Sequence, residues 1–226
     1  MRVSPITVLV GHAGVGKTNV SLGLALTEAA AGREVTLADL DVVNPYFRSS
    51  DYRELLAGAG IRLIAPVLAG TTLDTPSLTG ELDAAITQVV ADSERRRLIL
   101  DVGGDDDGAT TVGRWSAPLR EAQAAGKAQV LYAVSAFRAL TTKPEDAASM
   151  LPGIEDHAHL WADGILNTSN LGDETTPEHV ERGIAFATRV AELCDLPLVA
   201  TIAPAVAGYE GGDVEQMPRY VRLPWD

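Results

Sequence analysis

Cysteine, lysine and aromatic residues are scarce in this chain of 226 residues. The one cysteine, Cys194, excludes an intrachain disulfide and a cysteine-rich metal cluster, and its place in a helical apolar pattern predicts a small core side chain. A reducing, cytoplasmic setting is the expectation that follows. No run of about 18 apolar residues occurs, and the first ten residues are too short and too weakly charged for a signal peptide. We therefore expect no membrane partner.

Positive charge is also in short supply, with 18 Lys and Arg against 31 Asp and Glu and a net charge of −13. A field of this sign repels nucleic-acid phosphates unless a local basic patch overrides it. The one basic run, Arg95 to Arg97, precedes an apolar strand and is interpreted as a solvated turn. Nucleic acid is therefore not an expected partner.

Short β-branched segments alternate with longer helical patterns along the whole sequence, which is typical of βαβ units. Several of these strands are apolar on both faces, as expected for central strands of a parallel sheet that helices cover on each side. The prediction is an α/β fold with three layers and a doubly wound, mostly parallel sheet of about seven strands. No linker or repeat divides the chain, so residues 1–226 are expected to form one domain. The predicted strands are 6–10, 34–38, 62–64, 97–100, 129–134, 164–166 and 198–202, and the predicted helices include 16–31, 80–91 and 177–194.

A phosphate-binding motif connects the first predicted strand to the first predicted helix. It has the form Gly-x-x-x-x-Gly-Lys-Thr in the strand-to-helix context that the motif requires. Backbone N–H groups of such a loop can hold nucleotide phosphates, Lys17 can neutralise their charge, and Thr18 can ligate Mg²⁺. The residues expected to bind the nucleotide in this loop are Gly11, His12, Ala13, Gly14, Val15, Gly16, Lys17 and Thr18.

Carboxylates follow two of the predicted strands, at the sheet edge where ligands bind in open α/β folds. Asp39 and Asp41 end the second strand, and Asp41 is the better candidate for holding a metal-bound water or the attacking water. Asp39 could equally cap a helix at this edge. Asp101 ends an apolar strand in the Walker B arrangement, which serves Mg²⁺. The acidic cluster of Asp101 and residues 105–107 could instead bind Ca²⁺, although it lacks the spacing of an EF-hand loop.

Two short segments combine aromatic and cationic residues near this edge. Tyr46, Phe47 and Arg48 follow the second strand, while Phe137 and Arg138 follow the fifth. They could form a pocket for a carboxylate or a partner peptide, or they could pack as an ordinary surface in which arginine covers an aromatic face.

Taken together, these motifs resemble the MinD/ParA/CobQ superfamily of P-loop proteins with a deviant Walker A loop, in the SIMIBI class. The similarity covers nearly the whole chain and rests on the loop at 11–18, Asp39 and Asp41, the segment 101–105, and Asn167. Residues 39–48 and 167–176 are most similar to a group of stand-alone bacterial ATPase-like proteins whose function is unassigned.

The resemblance implies roles for particular residues. Lys17, Asp41 and Asp105 would be catalytic: Asp41 would position water, and Asp105 would belong to a switch loop that senses the γ phosphate. Thr18, Asp41 and Asp101 would serve Mg²⁺, and Asn167 and Pro204 would line the base. A guanine site would usually show Asn/Thr-Lys-x-Asp, which the segment Asn167 to Asn170 lacks, so ATP and Mg²⁺ are the expected cofactors.

His12 departs from the superfamily pattern, because its members typically have lysine at this second position of the loop. That lysine reaches across a dimer to the partner's nucleotide. A protonated imidazole could replace the cation only in part, and His12 could also be a loop residue without a catalytic role.

The first functional hypothesis is a switch that binds Mg-ATP, hydrolyses it to ADP and phosphate, and presents a different surface to a protein partner. A nucleotide-dependent homodimer would fit this hypothesis. The alternatives are an enzyme of the dethiobiotin-synthetase or CobQ kind that phosphorylates a small carboxylate substrate, and a nucleotide-binding module with negligible turnover.

Overall fold

The computed structural model describes residues 3–41, 48–65, 76–212 and 214–221, without the side chains of 76–79 and 105–107. Its strands are β1 (Ile6–Val10), β2 (Glu34–Leu40), β3 (Arg62–Ile64), β4 (Arg96–Val102), β5 (Ala128–Val134), β6 (Gly164–Asn167), β7 (Leu198–Ala203) and β8 (Val214–Gln216). Its α-helices are α1 (Lys17–Ala30), α2 (Arg53–Gly58), α3 (Pro76–Ala91), α4 (Asp105–Gly113), α5 (Ser116–Ala124), α6 (Pro144–Ala158) and α7 (Pro177–Cys194).

The described strands form one parallel sheet in the order β3-β2-β4-β1-β5-β6-β7-β8. β1 lies between β4 and β5, with β2, β3 and β4 on one side of it and β5 to β8 on the other. Such a reversal of strand order opens a crevice at the carboxyl ends of the strands, where open α/β sheets bind ligands. The loop after β1 enters this crevice.

Alternate side chains of the strands enter two separate hydrophobic cores, one on each face of the sheet. Val8 and Leu100 pack with helices α3 to α7 on one face. Leu9 and Ile99 pack with α1 and α2 on the other face. Strands that are covered on both faces are apolar throughout, which is why β1 reads as a continuous apolar run. The sheet is therefore the middle of three layers.

The α/β three-layer fold predicted from the sequence is confirmed, and the structure adds to it at its edges. β8 is an eighth strand that the sequence analysis did not predict, and it pairs with β7. β2 and β4 extend to Leu40 and Val102, past their predicted ends, so Asp39 and Asp101 lie within strands. The first helix begins at Lys17, because Gly16 has a left-handed conformation and caps it. Among the described residues, no helix has the length and apolarity needed to cross a bilayer.

Candidate nucleotide-binding site

The loop between β1 and α1 has a conformation that only glycine adopts easily. Gly11, Gly14 and Gly16 have φ angles of 146°, 75° and 100°. A Cβ on Gly11 would also lie 2.5 Å from the carbonyl oxygen of Ala133 on β5. A side chain at this position would therefore require both a strained backbone and a shift of the neighbouring strand.

Lys17 is folded back onto the loop that precedes it. Its Nζ donates to the carbonyl oxygens of Gly11 at 2.7 Å and His12 at 3.0 Å. Only 7% of the residue is exposed, although it lines the cleft beside the loop. These bonds fix the ammonium group where it can meet the phosphates of a ligand in that cleft.

Two contacts hold the phosphate-binding loop from outside, and neither was predicted from the sequence. The Thr168 hydroxyl, in the segment after β6, donates to the carbonyl oxygens of Val15 at 2.6 Å and Val134 at 2.9 Å. The sequence analysis had singled out the preceding residue, Asn167, as the site residue of this segment. Gly104 passes so close to the loop that a Cβ on it would lie 2.6 Å from the backbone nitrogen and Cα of Ala13.

Asp39 and Asp101 are buried side by side on β2 and β4, at paired positions of the sheet. The Ser49 hydroxyl donates to Oδ2 of Asp101 at 2.6 Å. Asp39 accepts the backbone N–H groups of Asp41 at 3.1 Å and Ser50 at 2.9 Å. Ser50 lies in the short 3-10 helix Ser49–Tyr52, so one of these two bonds caps a helix, as one interpretation of Asp39 had it.

Burial raises the pKa of both carboxyl groups. For Asp101 the pKa rises to about 6, chiefly through burial and then through the negative charge of Asp39, while Ser49, Lys17 and Thr18 act in the opposite direction. The pKa of Asp39 is also raised by burial, against the hydrogen bonds from Ser50 and Asp41. A buried carboxylate beside a second one is stabilised by a cation, so this pair suits a nearby metal ion.

Asp41 follows β2 and lines the cleft together with Lys17 and Thr18. It packs against the segment after β4, where a Cβ on Gly103 would lie 3.0 Å from its Oδ1 atom. Asp105, which was expected in a switch loop, is instead the first residue of α4, and its side chain lies outside the described part of the chain. The side chains of 106 and 107 also lie outside the described part of the chain, and so does most of the acidic cluster on which the calcium alternative depends.

A cleft of about 930 Å³ extends from the phosphate-binding loop along the carboxyl ends of β5, β6 and β7. This volume is within the range of pockets that bind small ligands and cofactors. The walls contain loop residues at one end and residues after β6 and β7 at the other. They include Ala13, Gly14, Gly16, Lys17, Thr18, Asp41, Gly104, Phe137, Arg138, Asn170, Asp173, Pro204, Met217 and Arg219.

The end of the cleft away from the loop contains one of the two residues expected to line the base. Pro204 is part of the wall. Asn167 is fully buried, and its amide donates to the Thr201 hydroxyl at 3.2 Å and accepts from the backbone of Ser169 at 3.0 Å. Asn170, three residues later, lies in the wall.

The segment 217–221 forms a further wall that the sequence analysis missed. Asn19, in the first turn of α1, accepts the backbone N–H groups of Tyr220 at 2.7 Å and Val221 at 3.1 Å, and donates to the carbonyl of Pro218 at 3.1 Å. Arg219 lies 3.5 Å from Asp173. The partners of Asn19 lie about two hundred residues further along the chain, and Asp173 and Arg219 are separated by α7 and β7. No local pattern in the sequence indicates either contact.

The two aromatic and cationic segments have different positions. Phe137 and Arg138 lie in the cleft wall. Arg48 is buried, with 8% exposed, and is not among the residues that line the cleft. Tyr46 and Phe47 lie outside the described residues.

Within the described side chains, no cluster of three or more His, Cys, Asp or Glu could hold a metal by itself. Mg²⁺ usually takes one or two carboxylates and completes its shell with water and substrate phosphates. Thr18, Asp41 and Asp101, beside a phosphate-binding loop, fit that requirement. A protein-only metal centre would need more ligands than the described residues bring together here.

Comparisons with known proteins show similarity in structure. No family model and no curated protein matches the chain. FtsY of Mycoplasma mycoides is 16% identical, with a TM-score of 0.59 over 88% of this chain and 60% of that one. FtsY of Elizabethkingia anophelis, in complex with GDP, is 13% identical, with a TM-score of 0.58 over 90% and 58%. The 54 kDa signal recognition particle protein of Aeropyrum pernix, in complex with GDP, is 16% identical, with a TM-score of 0.56 over 88% and 41%.

The chain spans about three fifths of the FtsY structures and less of the 54 kDa protein. At these identities the similarity concerns the fold alone. The assignment to the MinD/ParA/CobQ superfamily therefore stays a prediction. The chain therefore shares the α/β fold of these FtsY and 54 kDa protein structures, which is the P-loop NTPase type of fold.

Proposed function

We propose that the chain is a nucleotide-dependent switch that binds and hydrolyses Mg-ATP, with residues 1–226 acting as a single domain. The observation that carries the proposal is the arrangement of Lys17 in the wall of an open cleft, with Thr18 close to the buried Asp101. A phosphate chain in this position would meet one cation, the backbone of a glycine-rich loop and a carboxylate suited to Mg²⁺.

Thr18 and the three aspartates near the loop have separate roles in this proposal. Thr18 and Asp101 hold Mg²⁺, whose chemistry is to neutralise the charge that develops on the phosphates. Asp41 lines the cleft and orients the attacking water, because its carboxylate can accept a hydrogen bond from a water molecule near the terminal phosphate. Asp39 positions Asp41 and Ser50 through their backbone N–H groups.

The choice of adenine depends on the base end of the cleft. The segment after β6 reads Asn167, Thr168, Ser169, Asn170, with an amide where a guanine site would have a carboxylate. An amide can satisfy the mixed donor and acceptor edge of adenine, whereas guanine presents two adjacent donors that favour a carboxylate. Asp173 lies in the same wall, near Arg219, and is the group that would favour guanine if it turned toward the base.

Titration calorimetry with ATP, GTP and ADP in Mg²⁺, followed by phosphate release, tests the proposal. We expect adenine-selective binding and slow release without an added substrate. Release that requires a small carboxylate would support the phosphotransferase alternative, and binding without release would support the silent module. A preference for GTP would reverse the base assignment.

Two variants separate binding from turnover. Lys17→Ala should abolish nucleotide binding, because it removes the cation that the loop holds in place. Asp41→Ala should retain binding and lose phosphate release. Unchanged ATP binding in Lys17→Ala would overturn the nucleotide site as a whole, and unchanged turnover in Asp41→Ala would make that residue structural.

A further inference from the structure

Arg138, in the loop after β5, lines the cleft, and its side chain lies next to the phosphate-binding loop. Its Nε and Cζ atoms lie 3.8 and 3.9 Å from the place that a Cβ on Gly14 would occupy. Gly14 is the fourth residue of the motif, so this guanidinium is next to the part of the loop that surrounds a phosphate. The residue is exposed to the cleft and available to a ligand there.

The backbone that carries Arg138 is fixed by several hydrogen bonds. The Ser169 hydroxyl accepts the N–H of Ala136 at 2.9 Å. The N–H of Thr141 donates to the carbonyl of Arg138 at 3.1 Å, and the Thr141 hydroxyl donates to the carbonyl of Ser135 at 3.3 Å. These hydrogen bonds hold the backbone of the turn 135–141 in place and so set the directions in which its side chains point.

Phe137 anchors the same turn against α7. Its ring packs edge-on to His179 with centroids 5.5 Å apart, and the guanidinium of Arg182 lies 5.4 Å above it. Because Phe137 is held by α7 while Arg138 reaches the loop, the two side chains have different partners. Both residues line the cleft, as the pocket interpretation predicted, but their side chains do not act as a pair.

Arg138 has no charge partner in the described part of the chain. No hydrogen bond or ion pair involves its guanidinium there, whereas Lys17 is bonded to loop carbonyls and Arg219 lies near Asp173. The walls of the cleft also remove enough water from the guanidinium to lower its pKa. A cation in this setting is stabilised when an anion enters the cleft.

We propose that Arg138 binds the phosphate chain of the nucleotide within its own chain, opposite Lys17. This inference rests on the proposed function and adds a second phosphate-binding cation to it. The planar guanidinium can donate two hydrogen bonds to one phosphate group, which a lysine cannot do with the same geometry. Its position beside Gly14 favours phosphate over a separate carboxylate substrate as the bound anion.

The test compares ATP, ADP and AMP by calorimetry on the full chain, using Arg138→Gln, Arg138→Lys and a control. Arg189→Gln serves as the control, because it removes one positive charge from an exposed site on α7 where Arg189 pairs only with Glu192 in the described structure. We expect Arg138→Gln to weaken ATP about 10- to 100-fold, as for the loss of a charged hydrogen-bonding group. AMP should bind as before, Arg138→Lys should recover part of the loss, and the control should match the wild type.

The outcomes distinguish this inference from the proposed function. If Arg138→Gln binds ATP like the wild type while Lys17→Ala does not bind it, Arg138 has no phosphate role and the proposed function stands. If the wild type binds no nucleotide, both are wrong. Equal losses for ATP, ADP and AMP would indicate a distorted cleft and would also overturn the role of Arg138. Unfolding temperatures of all variants establish that each is folded.

Discussion

Single atoms decide whether the segment after β4 can approach the phosphate-binding loop. Gly104 is in contact with the backbone of Ala13, and Gly103 is in contact with Asp41. These two glycines bring the Asp101 strand end, the loop and Asp41 to one place. Any side chain on Gly104 would push the loop and the strand end apart.

Gly104→Ala is therefore expected to weaken ATP binding by at least about tenfold and to lower the free energy of unfolding by about 1 to 3 kcal/mol, as for overpacking. Its new Cβ would lie 2.6 Å from backbone atoms that cannot move like a side chain. Calorimetry and urea unfolding measure the two effects.

The matched control is Gly153→Ala. Gly153 lies on the exposed side of α6, where a Cβ would meet nothing within 4 Å. Alanine should stabilise the helix there by about 0.5 to 1 kcal/mol and leave ATP binding unchanged. Wild-type ATP affinity in Gly104→Ala would show that the loop tolerates the displacement and that this contact is not needed for binding.

At the scale of elements, the wall formed by 217–221 depends on a side chain of α1. Asn19 makes three hydrogen bonds to this segment, and a Cβ on Gly23, one turn later, would collide with the side chain of Met217. The helix that begins at the phosphate-binding loop therefore also positions the far end of the cleft. Changes at either end of the cleft are coupled through α1.

Asn19→Ala should release the segment 217–221 from α1. We expect a loss of about 1 to 3 kcal/mol in the free energy of unfolding and faster hydrogen exchange at the amides of Tyr220 and Val221, whose acceptor is removed. Exchange measured by NMR reports on these amides directly. Thr87→Ala, on exposed α3, is the control for a polar helix residue.

Unchanged protection of Tyr220 and Val221 in Asn19→Ala would contradict the coupling. A general increase of exchange over the whole sheet would also contradict it, since that result would mean global destabilisation. The expected pattern is an increase confined to the last described segment.

Elements with a local signal could be predicted from the sequence, and those without one could not. β1, its loop and the start of α1 have a local signal, because an apolar run, three glycines and Lys17 follow one another within residues 6–17. β8 has three residues and is defined by pairing with β7, so it has no period of its own. Thr168, Asn19 and Arg219 act through distant partners, which a single sequence does not reveal. The superfamily resemblance implied that Asn167 lines the base, yet its amide forms hydrogen bonds inside the protein.

At the scale of the whole molecule, the negative net charge and the buried carboxylate pair act on stability together. The net charge is −13, and Asp39 and Asp101 are neighbours inside the sheet. Without a bound cation, ionisation of Asp101 is opposed by burial and by Asp39. The empty site is therefore expected to be a destabilising feature at neutral pH.

This gives a pH dependence with a defined sign. The pKa of Asp101 is about 6 in the folded protein and 3.8 as its ordinary value. The folded state therefore binds the proton of Asp101 more tightly than the unfolded state does. The stability that this protonated group contributes is fully present below about pH 3.8 and is lost as the pH rises through about 6. We expect the free energy of unfolding in chelator to fall by about 1 to 2 kcal/mol between about pH 5 and about pH 7.

Urea unfolding of the wild type and Asp101→Asn over this range measures the effect. The variant should show a smaller decrease, because it cannot ionise at this position, and the difference between the two isolates Asp101 from the general charge. Mg²⁺ with ATP should restore stability to the wild type at about pH 7 and leave the variant nearly unchanged. Parallel pH profiles would mean that Asp101 is ionised in both states.

The contacts of Asn19 also bear on how the protein is made. They join a residue in the first turn of α1 to partners 199 to 202 positions later. During synthesis the amino-terminal part can form β1, the loop and α1 early, but the cleft has no far wall until the segment up to Val221 has left the ribosome. Under the proposed function, nucleotide capture in its final form therefore requires the segment 217–221 to have been synthesised and folded, and a nascent chain stalled before residue 217 would display the phosphate-binding loop in an unfinished cleft.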